Sequence, residues 1–296
     1  MFFWIDFLAG WMGGITSLIV GHPLETVKVR QQAYNTSLLK TVLHTFKYEG
    51  IFGFYKGMLF PIFTYGPSNS IFFGVYANAL ILLGPSNQDH ANSISSGTAL
   101  DIYIAGCIAS IPQTLFYSPI EYIKIIMQAD TLVSDDRKLG RETKLTPAYR
   151  NTLEAFKYVY KTRGLLGLYT GLWPTMIREV PTGGIYTLVH QKLRYHSLEE
   201  AGLTEVSKEI IAGGMAGILS IAVAVPMDVV KTRIQTDDPL DKRYFGIIQT
   251  ALKLYKEEGS AIFFKGMVVT CLRAFPVHAA MFTTYEFVTG LYDKIK

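Results

Sequence analysis

The stretch Pro23–Gln32, with the sequence PLETVKVRQQ, occurs three times in this chain. It returns as PIEYIKIIMQ at Pro119–Gln128 and as PMDVVKTRIQ at Pro226–Gln235. Each copy has a proline, an acid two residues later, a lysine five residues later and a glutamine nine residues later. Each copy also lies at the end of a long apolar segment. Three copies in one register indicate an internal repeat, which is best established before any single element is assigned.

The repeat extends beyond the charged stretch. Downstream of each copy lies a second shared element that ends in Gly57, Gly171 or Gly266. Ten residues after each of these glycines comes another proline, at Pro67, Pro181 and Pro276. The chain is therefore predicted to consist of three repeats, residues 1–97, 98–205 and 206–296, that together form one domain.

The composition limits the class of protein. The 296 residues are 49% hydrophobic and 18% charged, with a mean hydropathy of +0.23, which is apolar for a soluble protein of this size. Cys107 and Cys271 both lie in apolar segments, so no disulfide framework or metal site is indicated. The net charge of +4 is spread along the chain and predicts no nucleic-acid surface. No catalytic triad or phosphate loop is evident, so an enzyme is the least expected class.

Six segments are apolar and long enough to cross a membrane. They cover about residues 7–24, 58–83, 101–128, 172–195, 209–235 and 267–291. Shorter amphipathic patterns at 36–48 and 244–256 indicate helices along the membrane surface. Residues 84–97 and 198–205 carry no lysine or arginine and are interpreted as loops between repeats, and 130–147 is a polar insertion.

The distribution of basic residues predicts an orientation. Lysine and arginine occur in the segments that follow the odd spans and are missing from the loops that join the repeats. By the positive-inside rule the basic segments face the matrix or cytoplasm, with both termini on the opposite side. The predicted fold is therefore an all-α membrane protein with six transmembrane helices, arranged as three helix hairpins.

The repeated Pro-x-Asp/Glu-x-x-Lys motif, followed by Glu-Gly and an aromatic-Lys-Gly element, resembles the mitochondrial carrier family over nearly the whole chain. The stretch Gly21–Arg30 is especially similar to the carnitine/acylcarnitine, ornithine and basic amino-acid branch. The resemblance implies pseudo-threefold symmetry, a central cavity open alternately to either side, and the inner mitochondrial membrane with both termini toward the intermembrane space. It also implies a small-molecule substrate, a monomer and no cofactor. Structural cardiolipin is expected at the free N–H groups that start the even helices.

The charged positions of the motif are interpreted as a gate on the matrix side. A charge inside a membrane span is costly and normally faces a cavity and a partner, and a proline kinks its helix. By analogy with the family, the kinks are at Pro23, Pro119 and Pro226. The expected gate pairs are Glu25–Lys124, Glu121–Lys231 and Asp228–Lys28. The glutamines expected to brace the gate are Gln32, Gln128 and Gln235.

The corresponding gate at the other end is predicted to be weak. The family pattern there is an aromatic, an acid and a base near the end of each even helix. The three sites have the sequences Tyr76-Ala77…Leu80, His190-Gln191…Arg194 and Tyr285-Glu286…Thr289. Pairing each acid position with the next base position leaves no complete ion pair, which predicts a resting preference for the cytoplasm-open state.

The substrate site is expected at mid-membrane, seven and eight residues past the repeat glycine. Arg178 and Arg273 are predicted to bind a carboxylate, because a guanidinium matches it with two hydrogen bonds. Glu179 is predicted to bind a cationic group. The further candidate contacts are Thr64, Tyr65, Asn69 and Tyr186. Asn69 stands where basic amino-acid carriers tend to have an acid, which favours a monocationic or betaine-like solute over a dibasic one.

Several alternatives stay open at this stage. Tyr65, Phe72, Tyr186 and Phe275 are either an aromatic cage for a quaternary ammonium or packing residues. His22 either lines the cavity or packs at the kink, and His278 faces the axis only if its helix is regular. A channel-like or proton-dissipating member of the family, or a non-transporting scaffold on the same fold, are the alternatives to a solute carrier that moves an amino acid, carnitine-like or other quaternary-amine compound.

Overall fold

The protein is described here from a computed structural model. It describes residues 2–83, 98–130, 133–136, 141–144, 149, 151–194, 204–237 and 243–295. The predicted loop at 84–97 lies outside these residues, as does 198–203 of the second loop.

Six long helices form the body of the described structure, and each corresponds to one of the predicted spans. They are α1 (Phe2–Tyr34), α3 (Leu59–Leu83), α4 (Ala99–Ala129), α6 (Leu172–Lys192), α7 (Glu205–Gln235) and α9 (Met267–Ile295). Each is helical through its internal proline. The predicted kinks at the prolines stay predictions.

The six helices pack in a closed order. Each contacts the long helix before and after it in the chain, and α9 returns to α1. The odd helices α1, α4 and α7 also contact one another. Closely spaced backbones allow such packing. For example, a Cβ on Gly106 of α4 would lie 2.9 Å from the Gly183 carbonyl oxygen of α6.

Short helices follow each odd helix. These are α2 (Leu38–Glu49), α5 (Thr152–Leu168) and α8 (Ile247–Glu258), with 3-10 helices at Ile51–Tyr55 and Ser260–Phe264. In each repeat one glycine with positive φ lies inside or directly after these short helices, in a region that glycine enters without steric cost. These glycines are Gly50, Gly164 and Gly259. Gly164 lies inside α5 with a non-helical backbone, so it divides α5 into two helical parts.

The polar insertion of the second repeat contains a structure that the sequence did not predict. β1 (Val133–Asp136) pairs antiparallel with β2 (Arg141–Lys144), and Val133 is opposite Lys144. The all-α prediction was therefore wrong for this segment. The two strands, VSDD and RETK, carry no alternation of apolar and polar residues that predicts a strand.

Three helical segments are long and apolar enough to cross a membrane by length and composition: Ala99–Ala129, Ser207–Gln235 and Ser260–Tyr292. Among the described residues these are fewer than the six predicted spans. The difference has a compositional reason in α6, which carries Arg178, Glu179, His190 and Gln191. These polar residues lower the mean hydropathy of α6. They can be accommodated because α6 packs against α4 and α7.

Candidate functional site

The odd helices meet at three ion pairs. The nitrogen-to-oxygen distances are 2.7 Å for Lys124–Glu25, 2.6 Å for Lys231–Glu121 and 2.5 Å for Lys28–Asp228. We call these six side chains the ion-pair ring. The family resemblance implied all three pairings, and the structure forms all three pairs. Each pair joins two of the helices α1, α4 and α7, so the ring ties them together at one end of the bundle. That the ring acts as a gate stays a prediction.

The ring is largely removed from solvent. Lys231 and Lys124 have side chains only 2% and 4% exposed. A buried ion pays a desolvation penalty of several kcal/mol, which only a close partner and further hydrogen bonds offset. Removal of one partner would therefore leave a costly unpaired charge.

The three glutamines lie beside the ring and make other contacts. Gln128 Nε2 donates to Thr26 Oγ1 at 3.1 Å, from α4 to α1. Gln32 accepts from Thr232 of α7 at 3.0 Å. Gln235 donates to the Thr170 carbonyl oxygen at 3.1 Å. Gln128 Nε2 also lies 3.5 Å from His22 Nε2, and all of these contacts join neighbouring segments. Bracing of the gate itself stays a prediction.

A second set of ion pairs supports the ring end in repeats one and three. Arg30 Nη2 lies 2.8 Å and Lys56 Nζ 2.9 Å from Glu49 Oε2, and Arg233 lies 2.9 Å from Glu258. Burial opposes ionisation of Glu49, but the hydrogen bonds and charges of Arg30 and Lys56 hold the pKa of its carboxyl below the ordinary value. The sequence signal for these pairs is an arginine seven residues after the repeat proline.

Repeat two lacks this support at both positions. Ile126 replaces the arginine and Arg163 replaces the glutamate. Arg163 instead donates to the Tyr122 hydroxyl at 3.3 Å. Arginine and glutamate are lost together, so no unpaired carboxylate is left at this position.

Arg178 contacts protein carboxylates on three sides. Its guanidinium lies 2.9 Å from Asp228 and 3.4 Å from Glu121, and it also bonds the adjacent Glu179. The prediction that Arg178 holds a substrate carboxylate places a ligand where ring acids already lie. This residue is part of the charge network of the ring end.

Arg273 and Glu179 are less engaged. Arg273 lies 3.8 Å from Glu25, and its side chain is 31% exposed. Glu179 is 35% exposed, against 16% for Arg178. The ring residues, together with Arg178, Glu179 and Arg273, carry five cations and four carboxylates. One positive charge is therefore left over, and Arg273 has the longest contact of the five.

The remaining predicted contacts are placed as follows. The Thr64 hydroxyl donates to the Phe60 carbonyl oxygen within α3 at 2.9 Å. Tyr65 packs against Gly14 of α1, and its hydroxyl lies 3.6 Å from Met281 Sδ of α9. Asn69 is partly buried.

Two of the four aromatic residues pack between helices, while Tyr65 and Tyr186 both reach α9, at Met281 and His278. Phe72 stacks on Tyr76 in the packing between α3 and α4, and Phe275 packs against Gly214 of α7 while 41% exposed. Tyr186 stacks on His190 and on His278 of α9, with centroid distances of 5.8 and 6.3 Å. The packing interpretation is therefore correct for Phe72 and Phe275. Sequence spacing could not separate it from a cage, because both need the same helical positions.

The end opposite the ring is joined by other chemistry. Gln191 of α6 donates to the Tyr76 hydroxyl of α3 at 2.9 Å. His190 and Arg194 lie 2.9 and 2.5 Å from Glu209 at the start of α7. Glu209 was not among the predicted residues, because the family pattern for this end lies on the even helices. Its sequence signal is an acid at the start of the predicted fifth span.

His22, next to Pro23, is packed inside the protein. Its ring is fully buried, and Nδ1 lies 3.0 Å from the Phe54 carbonyl oxygen. This contact ties α1 to the 3-10 helix that follows α2. Of the two interpretations left open, the structure supports packing.

The chain was compared with known proteins. A family model described as mitochondrial carrier protein matches residues 1–86, 95–200 and 203–296. The chain belongs to the mitochondrial carrier family. Mouse solute carrier family 25 member 45 is 35% identical over 97% of this chain and 98% of its own. Human solute carrier family 25 member 48 is 35% identical over 95% and 93%. The rat mitochondrial basic amino acids transporter is 36% identical over 96% and 88%.

Membership in the mitochondrial carrier family settles the class of activity. Mitochondrial carrier proteins are transporters and not enzymes, and they belong to the inner mitochondrial membrane. The ring of this carrier occurs at the charged motif that the family shares, whereas Arg178, Glu179 and Arg273 depart from threefold symmetry. A small solute is not threefold symmetric, so these asymmetric positions are the candidates for recognition.

Proposed function

We propose that this carrier moves a small zwitterionic or cationic metabolite by alternating access. Its carboxylate, where present, binds Arg273, and its amine or quaternary ammonium binds Glu179. The observation that carries this proposal is the presence, beside the ring, of one base and one acid that protein partners occupy least: Arg273 lies 3.8 Å from Glu25 and is 31% exposed. Glu179 offers the more exposed carboxylate beside it.

The proposal includes the arrangement in the membrane. The six long helices span the bilayer as three hairpins with pseudo-threefold symmetry, and the ring faces the matrix. Both termini face the intermembrane space, as the positive-inside rule predicts. The carrier works as a monomer, with cardiolipin phosphates at the N-termini of the even helices.

Uptake by liposomes tests the substrate. The panel contains carnitine, choline, methylated lysines, arginine, lysine and ornithine. We expect uptake of at least one solute with a single cationic group. Glu179→Gln should abolish that uptake, and Arg273→Gln should reduce uptake of carboxylate-bearing solutes while sparing choline. Loss of one partner of a buried charged contact costs about 2–5 kcal/mol, or roughly tens- to thousands-fold in affinity.

Lys256→Gln is the control, because Lys256 is exposed on α8 away from the ring. Uptake that is the same in wild type, Glu179→Gln and Arg273→Gln would place the site elsewhere in the bundle.

A proton-dissipating activity is the second candidate. Its supporting observation is the pair of His190 with Glu209 at the end opposite the ring, since both groups can carry a proton. Proton flux into liposomes in the absence of any solute distinguishes the two functions. A proton-dissipating protein conducts protons under these conditions, whereas a solute carrier shows little proton flux.

A further inference from the structure

The three repeats differ one helical turn away from the ring. Each ring acid is preceded, four positions earlier, by a residue on the same face of its odd helix. In repeats one to three these residues are Gly21, Tyr117 and Ala224. Four residues of helix rise about 6 Å, so this level lies next to the ring on the side of the opposite end. Only repeat two has a large side chain at this level of the odd helices.

The two small residues at this level lie close to other side chains or are buried. A Cβ on Gly21 of α1 would lie 2.7 Å from Val277 Cγ2 and 3.4 Å from Arg273 Nη1 of α9. The absence of a side chain at Gly21 therefore leaves the space in which Arg273 lies. Ala224 of α7 is buried. Neither position offers a surface that could bind a solute.

Tyr117 of α4 lies among charged groups that are bonded to one another. It is within electrostatic range of the carboxylates of Glu121, Glu25 and Glu179, and of Arg178. Within the part of the chain that the structure describes, its hydroxyl makes no hydrogen bond and its ring stacks on no other ring. Ring lysines hold Glu121 and Glu25, whereas Glu179 bonds Arg178 and is the most exposed of the three acids. An uncovered aromatic ring therefore lies near the carboxylate that is most open to a ligand.

Tyr117 differs in this respect from the tyrosines predicted on the even helices. The Tyr65 hydroxyl lies 3.6 Å from Met281 Sδ. The Tyr186 ring stacks on both His190 and His278. Both side chains are engaged by protein partners, so they are less available to a solute than Tyr117.

We infer that the ring of Tyr117 binds the cationic head group of the solute beside Glu179 and makes the carrier select a methylated ammonium over a primary one. This inference rests on the proposed function, because it takes Glu179 as the acceptor of the cationic end. The quadrupole of an aromatic face attracts a cation, and the attraction is larger when the cation is desolvated. Tyr117 is therefore a specificity-determining residue on an odd helix, whereas the predicted contacts all lie on even helices.

The selectivity follows from the hydrogen bonds that each head group needs. A primary ammonium has three N–H donors, and burying a donor without an acceptor costs free energy. Of the three carboxylates near Tyr117, only Glu179 is not held by a lysine. A quaternary ammonium has no N–H donor, so it loses nothing when the aromatic face replaces water.

Three substitutions at Tyr117 separate its ring from its hydroxyl. Tyr117→Phe keeps the aromatic face and should keep the selectivity. Tyr117→Leu keeps apolar volume without a π-system and should lose it. Tyr117→Trp should raise it, because the indole ring is the strongest partner for a cation.

The experiment measures binding rather than uptake. The unfolding midpoint of the purified carrier in detergent is followed during titration with choline or ethanolamine at constant ionic strength, because a ligand that binds the folded state raises the midpoint. Both probes carry one positive charge, and they differ by three N-methyl groups. We expect choline to bind about tenfold more tightly than ethanolamine in wild type and Tyr117→Phe. The ratio should fall close to one in Tyr117→Leu. Trimethyllysine and lysine form a second matched pair.

Phe116→Leu is the matched control, because it removes an aromatic ring from the neighbouring position. Successive residues of a helix point about 100° apart, and Phe116 is 39% exposed. Its ratio of affinities should equal that of wild type. The midpoint without ligand shows whether each variant is folded. If Tyr117→Leu does not fold, the ratios of Tyr117→Phe and Tyr117→Trp decide the question.

Three results would overturn the inference. The first is a ratio near one in wild type, or no binding of either probe. The second is an unchanged ratio in Tyr117→Leu. The third is loss of selectivity in Tyr117→Phe, which would assign the effect to the hydroxyl. Failure of the proposed function is distinguishable: if choline binds with this selectivity but liposomes take up no solute of the panel, the inference stands and the transport proposal fails.

Discussion

The two ends of the bundle are held by different interactions. At the ring end, three buried ion pairs join the odd helices, with Arg178 bonded to two of their acids. At the opposite end, a hydrogen bond joins Tyr76 to Gln191, and Tyr186 stacks on His278. The ion pairs there share one acid, Glu209, which contacts His190 and Arg194 and is more exposed than the ring lysines Lys124 and Lys231. A buried charge is expensive when its partner leaves, whereas a neutral hydrogen bond has a net value of about 1 kcal/mol. Opening of the ring end therefore depends most on whether another group replaces the lost partner of each buried charge.

The opposite end also shows that a weakly charged end can still hold its helices together. A weakly charged opposite end was predicted to favour an opening on that side. Tyr76 and Gln191 nevertheless join α3 to α6, and Tyr186 and His278 join α6 to α9, although neither pair of helices is adjacent in the chain order of the bundle. Few ion pairs therefore do not mean few contacts between helices. The preference of the resting protein for either side stays a prediction.

The largest effect is expected from breaking the ring. Lys124→Gln leaves Glu25 without its 2.7 Å partner. We expect a loss of about 3–5 kcal/mol, the usual result of removing one member of a buried ion pair. Thermal unfolding in detergent should show a much lower midpoint. The exchanged pair Glu25→Lys with Lys124→Glu should recover part of it, and a shift as small as that of the exposed Lys256→Gln would contradict the interpretation.

A medium effect that depends on pH is expected at Glu49. Glu49→Gln removes hydrogen bonds between charged groups, worth about 1.5–3 kcal/mol each. Because the pKa of Glu49 is lowered in the folded protein, the stabilisation is complete above the ordinary glutamate value of about 4.3. It is lost as the pH falls through the lowered pKa.

The measurement is the difference in unfolding midpoint between wild type and Glu49→Gln. This difference should be constant near neutral pH and shrink below about pH 4.3. Glu257→Gln, on the exposed face of α8, is the control. A difference that grows on acidification would show that the ion pairs do not stabilise the folded state.

The smallest effect is expected at the opposite end. Tyr76→Phe removes the hydroxyl that accepts from Gln191. We expect a loss of about 0.5–1.5 kcal/mol, with little dependence on salt because both groups are neutral. A loss as large as that of Lys124→Gln would remove the difference between the two ends.

The sequence by itself determined the repeat and the long helices, because a proline, an acid and a lysine at fixed spacing recur three times after long apolar segments. The partners of the three ring pairs came from the resemblance to the mitochondrial carrier family, and the structure forms all three pairs. The same spacing located Arg178, Glu179 and Arg273 along their helices. The sequence also shows that repeat two cannot form a pair equivalent to Arg30–Glu49, because Ile126 and Arg163 stand at those two positions.

Only the tertiary structure decided which partners the asymmetric residues take. Spacing along a helix fixes depth, but the rotation of the helix and the reach of a long side chain choose the neighbour. Arg178 therefore bonds two ring acids, while Arg273 at the same depth stays 3.8 Å from one. Glu209 and Phe275 illustrate the same limit. One pairs with residues from the preceding helix and the other packs between helices, because contacts across the bundle depend on positions that no local pattern records.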